Sequence, residues 1–440
     1  MNIGLFSLAA VRTAGIPVSV IYFYFPWICA YPKQKGWSCM SKIEKNILSW
    51  IDKHLLFILL AACTLVGVIV RLGLKNIASS DFVEFLQPWY EEISETGLSK
   101  QVGNYNLLYQ MIIWAMTKLP IRSLYGYKIF SCVFDMVLAV TAFAIVEMIY
   151  KHQRREKSVL TYCAVWLSPI VFLNSAAWAQ CDAVYSSFCL LAVMMMEHKK
   201  YSVGLCLLGI AFAFKLQAVF ILPLFFFMYY RRRDFSILQF ILVPLSMIGI
   251  SLPAALIGGR NLAEVISIYA DQAIRYQRIS MNYPSVWLLL CRANDSSQYA
   301  YMRKPTVLLT AFALLLMMFW WLRKGYKAEG KNLYIMAYLL CYTCVFFLPS
   351  MHERYGFLYE VLAIVLAVMI PKMILPAIAL ICISMNTYGS YLFGIEVNIS
   401  TLAWLNLVIY IASIFVLGKE LSANANESKH ELYESQTDAA

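Results

Sequence analysis

Charged residues are scarce in this chain of 440 residues, and their scarcity argues against a soluble fold. Only 14% of the residues are charged and 61% are hydrophobic, whereas soluble domains are about a quarter charged. A soluble core of this size cannot hide so much apolar surface from water. The interior of a bilayer accepts it in helices of roughly 20 apolar residues, so the composition predicts a membrane protein.

Several familiar site signals are also missing. The sequence contains neither D-x-D nor the loop G-x-x-x-x-G-K-[ST], the two common devices for holding a nucleotide with a cation. The twelve cysteines lie mostly inside apolar runs, and the five histidines lie far apart. Neither a disulfide framework nor a metal site is therefore predicted. We expect no cofactor and no nucleotide-sugar donor.

Apolar runs dominate what is present, and they predict an all-α polytopic protein of about twelve transmembrane helices. Several runs are short, and residues 202–230 break at Lys215 and Gln217, which suggests two short helices that meet below the far surface. The predicted spans are 54–71, 124–149, 158–177, 183–196, 202–214, 217–230, 237–257, 305–322, 332–350, 356–371, 373–390 and 399–417.

The net charge of +11 lies in short clusters between these runs. Cytoplasmic loops of membrane proteins look like this, so we expect a lipid bilayer rather than nucleic acid as the partner. If the chain before residue 54 is cytoplasmic and the spans alternate in direction, all the basic clusters fall on the cytoplasmic side. This holds provided that residues 105–119 form an interfacial or re-entrant helix in the first outer loop. The basic clusters are 151–157, 199–200, 231–233 and 323–331.

The ends of the chain differ from its middle. Residues 15–31 are apolar and suit an extra span or an uncleaved signal anchor, whereas Met40 begins a short, charged, amphipathic segment. We therefore take residues 1–39 as an N-terminal extension, with Met40 as the hypothetical native start. Residues 40–418 form the membrane domain, and the polar residues 419–440 are predicted to be a disordered tail.

Four polar clusters fall on the predicted outer side, where ionisable groups near a membrane suggest function. The first follows the first span, where Asp81 precedes Phe82, Phe85 and Trp89, which have helical spacing. Asp81 either caps this helix or acts as a general base toward a hydroxyl acceptor.

The second cluster is a short turn that carries Trp178, Gln180 and Asp182. In an extended turn, the two-residue spacing points all three to one side. An aromatic ring beside an amide and a carboxylate suits sugar binding, although Asp182 is equally well placed to cap the next helix.

The third and fourth clusters are basic. Lys215 lies between apolar runs, where it suits a lipid-linked phosphate or pairing with a nearby carboxylate. His352, Glu353 and Arg354 occupy a short turn between long spans, and Arg354 has the geometry to bind a phosphate. The long outer segment 258–304 either covers a substrate or is a solvated loop.

Together these residues resemble a known family. The chain is similar to the bacterial relatives of the GPI second-mannose transferases, within the GT-C class of membrane glycosyltransferases, over about residues 50–420. The resemblance is carried by Asp81, by W-x-Q-x-D at Trp178, Gln180 and Asp182, by K-x-Q at Lys215 and Gln217, and by H-E-R-Y at His352, Glu353, Arg354 and Tyr355.

The resemblance implies a fold and an activity. It implies a GT-C-like enzyme of the cell membrane that takes a sugar, with mannose as the leading candidate, from a polyprenyl-phosphate carrier on the outer face. A glycan or glycolipid is the acceptor, and the transfer inverts the anomeric centre. It assigns Asp81 as the base and the other motif residues to the donor phosphate or the cavity wall. The rival hypotheses are a transporter or flippase for lipid-linked sugars and a surface-polysaccharide polymerase or ligase.

Overall fold

The computed structural model describes residues 41–104, 106–261, 263–291 and 296–437. These residues are almost wholly helical, with one pair of two-residue strands. The helices are α1 Lys42–Gly73, α2 Gln87–Thr96, α3 Leu107–Met116, α4 Ser123–Ile149, α5 Arg155–Trp166, α6 Pro169–Phe172, α7 Asp182–Glu197, α8 Tyr201–Phe214, α9 Leu222–Arg232, α10 Leu242–Gly258, α11 Ala263–Arg275, α12 Ser296–Lys324, α13 Gly330–Phe347, α14 Phe357–Met369, α15 Ile374–Phe393 and α16 Ile399–Thr437.

The other elements are short. The strands are β1 Ser280–Met281 and β2 Met351–His352, and they pair in parallel. Two π-helical turns, Phe82–Leu86 and Leu173–Ala177, precede α2 and follow α6. The 3₁₀ segments are Leu216–Ile221, Ile237–Ile241, Val286–Leu289 and Pro371–Met373.

Seven helices within the described residues are long and apolar enough to cross a membrane. The bent pair Arg155–Trp166 and Pro169–Ala177, with an angle of 42°, adds an eighth if it forms one span. This confirms an all-α membrane protein, but it does not confirm twelve spans. The four remaining predicted spans, 183–196, 202–214, 217–230 and 356–371, correspond to shorter helices.

The short helices have a physical explanation. A helix rises about 1.5 Å per residue, so the 14 residues of α8 reach roughly 21 Å, which is less than the ~30 Å hydrocarbon core. Its buried residues include Leu205, Leu208 and Ala211. Helices enclosed by protein can end at membrane depth, because their polar ends face a cavity rather than lipid. The predicted break at Lys215 is observed, and a 3₁₀ segment follows it.

The helix predicted not to cross is α3. It has 10 residues, too few to cross a bilayer, and its buried residues include Tyr109, Gln110 and Ile113. The prediction that residues 105–119 do not form a span is therefore confirmed by length.

The described residues belong to two compact units, which end and begin at Ile58 and Leu59. In the first unit, Ser41 and Glu44 form a reciprocal capping box at the start of α1. The hypothesis that Met40 is the native start concerns residues outside the described part of the chain. In the second unit, α16 continues through the predicted tail. Leu421 is fully buried and Glu420 pairs with Lys331 at 2.5 Å, so ordered structure extends beyond Gly418.

Candidate active site

Asp81 lies in the first turn of the helix that follows the first span, but it does not cap that helix. Its backbone is already helical and its side chain makes no capping bond. The Oγ of Ser79 accepts from the Phe82 N–H instead, at 3.2 Å. The π-helical turn also shifts the predicted apolar face, because Phe82 is buried while Phe85 is 41% exposed. The capping hypothesis for Asp81 is therefore wrong, and its carboxylate is available for other contacts.

Trp178 and Gln180 both hold the Asp81 carboxylate. Trp178 Nε1 donates to Asp81 Oδ2 at 2.8 Å, and Gln180 Nε2 donates to the same oxygen at 3.0 Å. The turn is not extended as predicted, since Ala179 has a left-handed φ of 62°. This turn places Trp178 and Gln180 on Asp81, whereas Asp182 points to a different partner.

That partner is Lys215. Its Nζ lies 2.6 Å from Asp182 Oδ1, and the two side chains are 7% and 0% exposed. Asn174 Nδ2 donates to Asp182 Oδ2 at 2.8 Å. Asp182 begins α7 without capping it, although a carboxylate there is favoured by the helix dipole. The alternative in which Lys215 pairs with a carboxylate is therefore what the structure shows.

Arg354 lies between Asp81 and Asp182 and contacts both carboxylates. Its guanidinium lies 3.3 Å from Asp81 Oδ2, 3.7 Å from Asp182 Oδ2 and 3.6 Å from Glu353 Oε1. It also sits 5.2 Å from the centre of the Trp178 ring, and Tyr391 stacks on that ring at 4.6 Å. Trp178 is fully buried between these groups, so its ring does not offer a free face to a sugar.

The H-E-R-Y segment is held by backbone pairing with the long segment that follows α11. The Glu353 N–H donates to the Met281 carbonyl at 3.1 Å, and the Ser350 N–H donates to the Ile279 carbonyl at 2.9 Å. His352 contacts Tyr276 edge to face at 4.6 Å. Part of the segment 258–304 thus forms the wall of the site rather than a solvated loop.

Burial shifts the protonation of two residues in this segment. Burial lowers the pKa of His352 to about 3, assisted by the charges of Arg354 and Lys215, so the imidazole is neutral at physiological pH. Burial raises the pKa of Glu353 to about 7, although the charge of Arg354 opposes this. The Glu353 carboxyl therefore changes its charge near neutral pH.

These groups surround one cavity of about 610 Å³. Eight of the ten predicted site residues line it, whereas Trp178 and Asp182 lie behind the wall and position the residues that do. The eight are Asp81, Gln180, Lys215, Gln217, His352, Glu353, Arg354 and Tyr355.

The sequence prediction missed further lining residues. Tyr391 donates to Asp81 Oδ1 at 2.5 Å and accepts a hydrogen bond from Ser80 Oγ at 3.0 Å. Arg275 and Arg303 also line the cavity. Tyr391 had no signal in the sequence, because it lies near the end of an apolar span, 310 residues from Asp81. The arginines of segment 258–304 did carry a signal, but a single sequence does not tell which of them face the cavity.

The described residues contain no group of three or more His, Cys, Asp or Glu side chains placed to hold a metal ion. The cavity offers a carboxylate among hydrogen-bond donors, beside buried cations and aromatic rings. No protein-family model matches the chain, and no curated protein matches it either.

Proposed function

We propose that this protein is a membrane glycosyltransferase of GT-C type that moves a sugar, with mannose as the first candidate, from a polyprenyl-phosphate carrier to a glycan or glycolipid. One observation carries the proposal. Four segments distant in sequence bring Asp81, Gln180, Lys215 and Arg354 to one cavity in a protein of apolar helices. A carboxylate in such a cavity can take a proton from a hydroxyl acceptor.

The hydrogen bonds of Asp81 indicate which oxygen acts. Each carboxylate oxygen accepts about two hydrogen bonds. Oδ2 already accepts hydrogen bonds from Trp178, Gln180 and Arg354. Among the donors that the structure describes, Oδ1 accepts one from Tyr391. Oδ1 therefore has room for the hydroxyl of an acceptor, and the Oδ2 contacts hold the carboxylate in a fixed orientation.

The proposed reaction is a direct displacement. The acceptor hydroxyl gives its proton to Asp81 Oδ1 while its oxygen forms a bond to the anomeric carbon. The bond from that carbon to the phosphate oxygen breaks, and the polyprenyl phosphate leaves with the electron pair. Attack from the face opposite the leaving group inverts the anomeric centre. The aromatic residues of the wall, among them Trp89, Tyr276 and Tyr391, are candidates to contact the sugar.

The distribution of charge supports an outward-facing site. α7 begins at the cavity with Asp182 and ends at Glu197, which pairs with Arg232. Arg232 Nε also donates to the Ala328 carbonyl at 2.9 Å. Three basic clusters thus meet at the opposite end of the helices from the cavity. Under the positive-inside rule we take that end as cytoplasmic, which supports a cavity that faces the outside of the cell membrane.

A transporter for lipid-linked sugars is the second candidate, because charged groups also lie deep in the helices. Arg71 pairs with Asp135 at 2.9 Å, and Glu360 accepts from Ser384 at 2.6 Å. None of these residues lines the cavity, so they do not mark a path through the protein. We therefore prefer the enzyme. A polymerase or ligase stays a variant of the same proposal, favoured by the arginines in the cavity wall.

A transfer assay tests the proposal. Purified protein is given radiolabelled polyprenyl-phosphate mannose and, in a separate reaction, polyprenyl-phosphate glucose. Membrane lipid extract supplies the acceptor. Loss of a general base typically lowers the rate 10²–10⁴-fold, so we expect that loss for Asp81→Asn. Glu84→Gln is the matched control, an exposed carboxylate of the same helical segment outside the cavity. Full transfer by Asp81→Asn would remove Asp81 as the base, and transfer from neither donor would count against both sugars.

A further inference from the structure

The cations predicted to hold the donor phosphate are already paired with carboxylates. Lys215 is 2.6 Å from Asp182, and Arg354 lies within 4 Å of Asp81, Asp182 and Glu353. A phosphate that approached them would have to displace these carboxylates and would meet their repulsion. The charge balance of this part of the cavity therefore favours a neutral sugar and its hydroxyl partner over an anion.

Two other arginines line the same cavity. Arg275 is the last residue of α11, and Arg303 is the eighth residue of α12. Both are exposed, and neither forms an ion pair with a carboxylate that the structure describes. Two guanidinium groups in a concave wall supply the planar hydrogen-bond donors that recognise phosphate.

α12 adds an apolar path beside this charge. Tyr299, Arg303 and Val307 are spaced four residues apart, so they share one face of the helix, and all three line the cavity. Val307 lies about 6 Å along the helix axis from Arg303, toward the middle of an apolar span. Val219 also lines the cavity, and the two valines are exposed, at 36% for Val219 and 45% for Val307. The cavity wall thus carries exposed apolar side chains as well as the two arginines.

We infer that Arg275 and Arg303 form the phosphate subsite of a polyprenyl-phosphate ligand, and that its chain leaves the cavity between Val219 and Val307. This inference rests on the proposed function and adds to it the location of the carrier. The sugar then lies toward Asp81, and the leaving phosphate lies at arginines that are not shared with the catalytic carboxylate. Lys215 and Arg354 become positioning residues that hold Asp182 and Asp81.

Binding of the carrier without a sugar tests the inference separately from catalysis. The full chain in detergent is titrated with a polyprenyl monophosphate, with the neutral polyprenol of equal length, and with inorganic phosphate. The variants are Arg275→Ala, Arg303→Ala and the double substitution. Lys304→Ala is the matched control, since it removes an exposed cation beside Arg303 that does not line the cavity.

The expected result has three parts. Each arginine substitution weakens binding of the polyprenyl phosphate by about 10-fold or more, as for loss of a charge-assisted hydrogen bond, and leaves polyprenol binding unchanged. Lys304→Ala binds like the unmodified protein. Val307→Trp, which narrows the inferred exit of the chain, weakens binding of both lipids. Weak inorganic phosphate binding that is lost in the double variant also supports the subsite.

Two results would overturn the inference, and they differ in meaning. If the unmodified protein prefers the polyprenyl phosphate over the polyprenol and the double arginine variant keeps that preference, the subsite lies elsewhere while the donor class stands. If the unmodified protein shows no preference for the phosphate-bearing lipid, both the proposed class of donor and the phosphate subsite are refuted.

Discussion

The buried pair of Lys215 and Asp182 gives the sharpest test of how the site is built. We consider Lys215→Met, which keeps much of the side-chain volume and removes the charge. Both side chains are almost wholly excluded from solvent, at 7% and 0% exposure, and Asp182 does not line the cavity, so water is a poor replacement for the lost partner. Breaking such a pair typically costs 3–5 kcal/mol, because one charge is left buried and uncompensated. Asn174 and Arg354 still face Asp182, so we expect the lower end, about 3 kcal/mol.

The double variant Lys215→Met with Asp182→Asn removes both charges. We expect it to recover at least about 2 kcal/mol of the loss, since coupled neighbours give interaction energies of 0.5–3 kcal/mol. The measurement is unfolding of the purified protein in mixed micelles, followed by tryptophan fluorescence. Lys331→Met is the matched control, because its pair with Glu420 is 26% and 23% exposed and should cost under about 1 kcal/mol.

The same double variant separates structural and binding roles for Lys215. If Lys215 only positions Asp182, the double variant binds polyprenyl phosphate as the unmodified protein does. If Lys215 contacts the phosphate, the double variant is stable but loses that binding. The structural argument would be refuted by a Lys215→Met protein within 1 kcal/mol of the unmodified one, or by a double variant less stable than both single variants.

Three further predictions concern titration and packing. Burial raises the pKa of Glu353 from 4.5 to about 7, so the folded state binds this proton more tightly than the unfolded state. The stabilisation from the protonated carboxyl is therefore complete below pH 4.5 and is lost as the pH rises through 7. Stability of the unmodified protein relative to Glu353→Gln should therefore fall by about 3 kcal/mol between pH 4.5 and 7, and a constant difference in denaturation midpoint would contradict this. Gly209→Ala should destabilise by about 1–3 kcal/mol in thermal unfolding, because the added Cβ would lie 2.3 Å from the Val243 carbonyl oxygen in the neighbouring helix, and an unchanged midpoint would show that the helices separate freely. Lys128→Met should lower transfer activity, since its Nζ donates to the carbonyls of Leu74, Lys75 and Ile77 just before Asp81, and full activity would exclude this positioning role.

The sequence predicted correctly those features that depend on local chemistry. Long apolar runs gave the membrane helices, because a bilayer requires about 20 apolar residues for each span. The break at Lys215 was visible because a charged residue and a polar residue interrupt an apolar stretch. The short helix α3 followed from the positions of the basic clusters, which left no place for another crossing.

Features that depend on enclosure were not readable from the sequence. An apolar run of 13 to 16 residues looks the same whether it crosses lipid or ends inside a protein, so the sequence alone did not separate these two cases, and twelve spans are not confirmed. The choice between a cap and a base for Asp81 also stayed open in the sequence, since Ser79 and Asp81 are both suitable caps and only the folded backbone distinguishes them.

By itself the sequence indicated that this protein lies in a bilayer, and it showed which polar residues are most costly to bury there. Both features depend on the chemistry of each residue and its near neighbours. Only the tertiary structure decided how those residues are paired. Tyr391 reaches Asp81 across 310 residues, and Asp182 rather than a ligand neutralises Lys215, because side chains from separate helices meet only once the helices pack. The positions of Arg275 and Arg303 in the cavity wall were decided in the same way.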